Sequence, residues 1–150
     1  MKETFDYQIK STWHLLSKMY NLLAMKHDIS QIIGYVLINI EKEGTQVAKL
    51  ASLLGVEPTS LSRLLKSMEQ KALIERRTCK DDRRVMRVFL TPEGVKKRKK
   101  ASEIILRFND KLAQHLSMPE KDNFLKIFKH VKELIQEEID KIQNNNDVRD

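Results

Sequence analysis

The chain has one cysteine, Cys79, in 150 residues, so no intramolecular disulfide can staple it. Such cysteine usage gives no reason to expect an oxidising compartment. Long apolar runs are missing as well, and none approaches the ~20 residues that a membrane-spanning helix needs. The opening Met1-Lys2-Glu3-Thr4-Phe5-Asp6 has no apolar stretch behind its lysine, unlike a secretory leader. The expectation is a cytoplasmic protein that makes no membrane contact.

Glycine is scarce, at four residues, and the glycine-built sites are absent with it. There is no Gly-rich phosphate loop, no nucleophile elbow, no Cys-x-x-Cys pair and no His-Glu-x-x-His helix. The acids are dispersed over helix faces and converge nowhere. An enzyme is therefore not expected, and no cofactor is implied. Four histidines raise the question of a metal. His115, however, has Lys111 and Pro119 at the positions where a helical ligand pair would place its partner. His27 with Glu41 or Glu43 is another combination, and isolated histidines are more often structural or solvated. No metal site is expected.

What the chain does have is charge, unevenly placed. Residues 1–43 balance five basic against five acidic side chains, residues 44–100 carry +9, and residues 101–150 carry −2, which together give the net +7. A basic middle third between near-neutral flanks is the electrostatic footprint of a polyanion partner. A solvated basic face is the plainer alternative, and charge alone does not separate the two.

Hydrophobic spacing divides the chain into helices and one β-hairpin. A first helix, about 4–25, carries Ile9, Trp13, Leu16, Tyr20 and Leu23 at alternating steps of four and three. Ser30 can cap a second helix through Ile32, Ile33, Val36, Leu37 and Ile40, closed by Gly44. Thr45 is placed to cap a third, with Val47, Leu50, Ala51 and Leu54 on its apolar side. Gly55 supplies a turn, and Pro58 opens a fourth helix holding Leu61, Leu64, Leu65 and Met68. Two short helices joined by a Gly-containing turn are a helix-turn-helix signature. Strands 73–79 and 85–90 follow, joined by the charged tip Lys80-Asp81-Asp82-Arg83-Arg84. Thr91 and Pro92 start a fifth helix, which passes the basic cluster Lys96–Lys100 into Ile104, Ile105, Phe108 and Leu112. A sixth restarts at Ser117-Met118-Pro119-Glu120, with Phe124, Phe128, Val131, Ile135, Ile139 and Ile142 again at helical steps. The fold class is mainly α with a small β-hairpin wing.

On the fourth helix, at ~100° per residue, Thr59, Ser60, Arg63 and Lys66 lie opposite the leucines, with Ser62 at the edge. Short hydroxyls and long cations near a helix N-terminus suit base edges and phosphates of a major groove. An ordinary amphipathic surface helix would show the same faces. The hairpin weighs against that reading, because arginines at a wing tip suit a narrow minor groove. An adjacent aspartate can orient such an arginine through a charge-assisted pair.

In order and spacing, Leu50-Ala51-Ser52-Leu53-Leu54-Gly55-Val56, Leu61-Ser62-Arg63, Leu73-Ile74-Glu75-Arg76, Asp82-Arg83-Arg84 and Leu90-Thr91-Pro92-Glu93-Gly94 resemble the core of the MarR (multiple-antibiotic-resistance regulator) family. The likeness covers about residues 30–100, and the Asp-Arg-Arg wing followed by Leu-Thr-x-x-Gly discriminates best. It implies one MarR-like domain over 1–150, with a winged helix-turn-helix core at about 30–100 and dimerisation helices at 1–27 and 101–145. It further implies a sequence-specific, ligand-responsive repressor that binds a palindromic duplex operator as a homodimer. Thr59, Ser60 and Arg63 fall where the family reads the major groove, with Ser62 and Lys66 beside them. Arg84 falls at the minor-groove arginine, with Asp82 as its orienting acid and Arg83 adjacent. Ala72 stands where the family has glycine, Glu57 is a poor helix cap, and two acids sit at the wing tip. Many relatives bind small phenolic or lipophilic anions between the dimerisation helices and the winged domain. Trp13, His14, Met19 and Tyr20 are the candidates for such an effector pocket, although core or dimer contacts are the commoner role for such a stripe. Two other readings stay open: a winged-helix protein-interaction module, and a thiol-responsive regulator acting through Cys79, whose neighbours Arg76, Arg77 and Lys80 can lower its pKa.

Overall fold

A computed structural model describes residues 3–79, 82 and 84–147. Its elements follow the hydrophobic periodicity closely: α1 (Phe5–Met25), α2 (Gln31–Ile38), β1 (Thr45–Gln46), α3 (Val47–Leu54), α4 (Pro58–Gln70), β2 (Ile74–Thr78), β3 (Met86–Leu90), α5 (Pro92–His115) and α6 (Met118–Asp147). The strands form an antiparallel sheet in the order β1-β3-β2. The chain divides into two compact units, Met1–Arg107 and Phe108–Asp150.

Local chemistry accounts for most boundaries. Ser30 Oγ accepts the Ile33 N–H at 3.4 Å and so caps α2 as expected. At the end of α3, Gly55 adopts the left-handed conformation (φ 59°), and the N–H groups of Gly55 and Val56 return to Ser52 O and Ala51 O. This is a Schellman closure, and it makes the turn of the helix-turn-helix. Ala72 closes α4 in the same way, its N–H donating to Glu69 O (2.8 Å) and that of Leu73 to Met68 O (3.0 Å). Ala72 therefore sits at φ 52°, a conformation that a Cβ disfavours.

One expectation is corrected. Thr45 does not cap α3; it belongs to β1, pairs with Val88, and is almost wholly buried. Its hydroxyl instead donates to Asn39 O (3.2 Å) and accepts from the Glu41 N–H (2.9 Å), tying down the turn after α2. The helix starts two residues later, with Gln46 as a cap residue that makes no side-chain hydrogen bond. The hairpin is thereby extended to a three-stranded sheet. The second helix also ends at Ile38 rather than Ile40, because Asn39 leaves the α conformation.

The core of the first unit is built from α2, α3, α4 and the sheet. Val36, Leu37, Ile40, Leu50, Leu61, Leu65, Met68 and Val88 are fully buried there. Each such side chain contributes about 1.5–3 kcal/mol of burial free energy, which fixes the inner face of α4. Two cations of the basic run on α5 also serve the fold. Lys97 Nζ donates to His27 O (2.6 Å) and Arg98 Nη1 to Ile40 O (3.1 Å), so both meet carbonyls at or beyond the C-terminal ends of α1 and α2.

In the second unit, the Glu120 carboxylate secures the start of α6 by accepting from both the Ser117 N–H (2.7 Å) and the Ser117 hydroxyl (2.6 Å). No described residue of this unit is buried. Phe124, Leu125, Ile127, Leu134, Ile135, Ile139 and Ile142 are exposed, and the rings of Phe124 and Phe128 lie 4.5 Å apart at a tilt of 38°. Among the described residues, no helix is long and apolar enough to cross a membrane.

Candidate nucleic-acid interface

With Leu61, Leu65 and Met68 held in the core, the opposite side of α4 has to face outward. Thr59, Ser60, Ser62, Arg63 and Lys66 are all exposed on it. Pro58 occupies the first helical position, and Glu57 makes no side-chain cap hydrogen bond. The N–H groups of the first turn are therefore left without a capping side chain, beside two hydroxyls, an arrangement that favours anionic oxygens.

The wing is fastened to this helix by an ion pair. Arg76 Nη2 of β2 meets Glu69 Oε2 of α4 at 2.5 Å, with both side chains about 30% exposed. The hydrogen bond from Arg76 holds the Glu69 carboxyl below its ordinary value. At the far end of the hairpin, Asp82 Oδ1 accepts the backbone N–H of Arg84 at 2.9 Å, and Asp82 O accepts that of Val85 at 3.0 Å. The aspartate thus closes an Asx-turn that carries Arg84, which is exposed. Its contact is with the arginine's backbone, whereas the sequence suggested its guanidinium. Arg83, together with Lys80 and Asp81, lies outside the described residues. Cys79 is half-buried where β2 gives way to the tip, and its N–H donates to Val85 O (2.8 Å). Among the described residues no group of His, Cys, Asp and Glu could hold a metal ion.

A cavity of about 120 Å³ opens in the first unit between α1, α2 and α5. Trp13, Tyr20 and Ala24 line it from α1, Gln31, Gly34, Tyr35 and Ile38 from α2, and Ala101, Ile104 and Ile105 from α5. Of the four residues suggested for a pocket, Trp13 and Tyr20 reach it and His14 and Met19 do not. The reason is rotation: at ~100° per residue, Trp13 and Tyr20 share a stripe from which His14 and Met19 point away. Burial raises the pKa of the Tyr20 phenol.

Comparison with known proteins shows what the arrangement is similar to. The MarR family model matches residues 36–86, from α2 to the start of β3. By these comparisons the chain is similar to MarR-family transcriptional regulators. Over 117 residues it is 28% identical to the HTH-type transcriptional regulator SarZ of Staphylococcus haemolyticus, covering 76% of this chain and 77% of that protein. In structure it is similar to MepR of S. aureus in a DNA complex, with a TM-score of 0.78, 23% identity, and coverage of 87% of this chain and 98% of the other. It is also similar to a cysteine-to-serine mutant of E. coli MarR complexed with operator DNA, with a TM-score of 0.73, 21% identity, and coverage of 83% and 90%.

The Leu90-Thr91-Pro92-Glu93-Gly94 motif is a joint between elements. Thr91 Oγ1 donates to Ala72 O (2.5 Å) and accepts the Gly94 N–H (3.0 Å), while the Thr91 N–H donates to Leu73 O (3.1 Å). The start of α5 is thus bonded to the turn that leads from α4 into β2. Sequence reasoning missed this role, because the partners are 18 or more residues apart and the motif looks locally like a helix start. The cavity residues from α2 and α5 were missed for the same reason.

Proposed function

We propose that the chain regulates transcription as a ligand-responsive repressor, binding a pseudo-palindromic duplex operator as a homodimer. The observation that carries this reading is the outward face of α4. Thr59, Ser60, Ser62, Arg63 and Lys66 stand free of the core on a helix whose back is fixed by Leu61, Leu65 and Met68. Arg63 and Lys66 enter the major groove, the hydroxyls of the first turn meet bases and phosphates, and Arg84, with Arg83 beside it, follows the minor groove. The likeness of fold to MepR and MarR, both solved on DNA, supports the same reading.

A second copy covers the apolar side chains that α1 and α6 each leave exposed. Rows of exposed apolar side chains of this kind mark a protein-contact surface. A two-fold axis then spaces two α4 helices by about one DNA turn or a multiple of it. The cavity lined by Trp13 and Tyr20 is the effector site. A ligand there acts by binding the DNA-free and DNA-bound states with different affinity.

Fluorescence anisotropy tests the reading, with the protein's own upstream DNA and a shuffled duplex of equal length titrated at two salt concentrations. Binding to the upstream duplex should exceed shuffled binding by ~10³ or more, and both should weaken steeply with salt. Equal affinity for the two duplexes contradicts sequence-specific regulation.

A further inference from the structure

We infer that the cavity between α1, α2 and α5 takes an uncharged molecule with a single aromatic ring and at most one hydroxyl, and not the anion that the family resemblance implies. The inference rests on reading this cavity as the effector site and goes further by assigning the ligand's size and charge.

Size comes first. At about 120 Å³ the cavity is comparable with the apolar cavities of ~150 Å³ that take up benzene, which is room for a single ring. Three of its walls are aromatic (Trp13, Tyr20 and Tyr35), and the rest are aliphatic or glycine apart from Gln31. Aromatic walls of this kind favour a flat ring.

Charge follows from what surrounds the space. No Lys, Arg, His, Asp or Glu lines it, and its polar groups are an indole N–H, two phenols and one carboxamide, which are neutral. Three cations that precede Ala101 on α5 are turned to other partners, and Lys99 and Arg107 are not among the lining residues. Lys97 is bound to His27 O, Arg98 to Ile40 O, and Lys100 to Glu103. Ser17 lies on the same stripe of α1, between Trp13 and Tyr20. Its buried hydroxyl has no hydrogen-bond partner among the described residues, so the unmet polar capacity beside the cavity is uncharged too. A carboxylate entering here loses water and meets no cation among the lining residues, and an ammonium meets no acid there.

Trp13 makes the test direct, because it is the chain's single tryptophan and it lines the cavity. The full-length protein is titrated with benzyl alcohol, benzoate and benzylammonium, matched in ring and length, while Trp13 fluorescence is followed. Anisotropy of operator DNA is measured in parallel. The expected result is a saturable response to benzyl alcohol, at least tenfold tighter than to either ion. Ile104→Phe and Ile38→Phe, each filling the space from a different helix, should abolish it while the circular dichroism stays native. Tighter binding of benzoate or benzylammonium overturns the charge assignment and leaves the effector reading standing. A response that never saturates, or one that survives both filled variants, overturns the cavity as the binding place. Saturable binding of benzyl alcohol with unchanged DNA affinity upholds the ligand class and contradicts ligand-responsive regulation instead.

Discussion

Gly94 lies directly under the carbonyl of Leu73: a Cβ at position 94 would stand 1.9 Å from that oxygen. The oxygen cannot swing away, because it accepts the Thr91 N–H and belongs to the turn between α4 and β2. Gly94→Ala should therefore push α5 off the winged core and destabilise the fold by about 1–3 kcal/mol, the usual range for overpacking. Urea denaturation of the variant measures it. An unchanged midpoint would show that this joint yields freely.

The opposite sign is expected one element earlier. Ala72 holds φ 52° to close α4, where the left-handed conformation costs a non-glycine residue roughly 1–2 kcal/mol. Glycine relieves that strain but adds backbone freedom to the unfolded chain. Ala72→Gly should stabilise the protein by about 0.5–1 kcal/mol on balance. A loss of stability would mean that the Cβ makes a contact that outweighs the strain.

For DNA, Arg63 is the residue expected to read a base. Arg63→Ala should cost about 1–3 kcal/mol at the operator and much less on random duplex. Equal losses on both would reduce Arg63 to a phosphate contact.

The Asx-turn makes a finer prediction at the wing. Asparagine keeps the oxygen that accepts the Arg84 N–H and removes a negative charge close to DNA. Asp82→Asn should bind DNA as well as the natural protein or better, whereas Asp82→Ala should bind more weakly. If asparagine and alanine weaken binding alike, the carboxylate charge acts on a guanidinium and the turn is not its role. Arg84→Ala should flatten the salt dependence by about one counterion per protomer.

Acid should loosen the wing from α4. The hydrogen bond from Arg76 holds the Glu69 carboxyl below 4.5, so its contribution is present above the unfolded-state pKa and is lost as pH falls through the folded one. Being partly exposed, the pair contributes no more than about 1 kcal/mol. Glu69→Gln should lower the urea midpoint at pH 7, and the gap to the natural protein should close towards pH 3. A gap that persists at pH 3 would assign the effect to packing.

The fold was legible where one element carries its own signal. Trp13, Tyr20 and their neighbours show the stripe of α1, Ser30 and Thr91 announce their helices, and Gly55 marks the turn. Thr45 misled because a hydroxyl ahead of an apolar helix resembles a cap, and a two-residue strand has no alternation to betray it. The outward residues of α4 could be found by rotation alone. What stayed hidden depends on distant partners. Lys97 and Arg98 read as a solvated basic run, since nothing local says that carbonyls 70 and 58 residues earlier meet them. The cavity needed Gly34, Ile38 and Ala101 brought beside Trp13, which only packing decides.

The dimeric, sequence-reading mechanism is tested most directly by one comparison of full and half operators. Anisotropy titrations on the palindrome and on a single half-site are run with the natural protein and with Ile135→Asp, whose side chain is 52% exposed on α6. Ile135 is preferred to Val131, which is half-buried within its own unit. The account predicts one dimer per palindrome, a half-site bound at least a hundredfold more weakly, and an Ile135→Asp protein that sediments as a monomer and loses the difference. A monomeric natural protein that binds the half-site as tightly as the palindrome would contradict it.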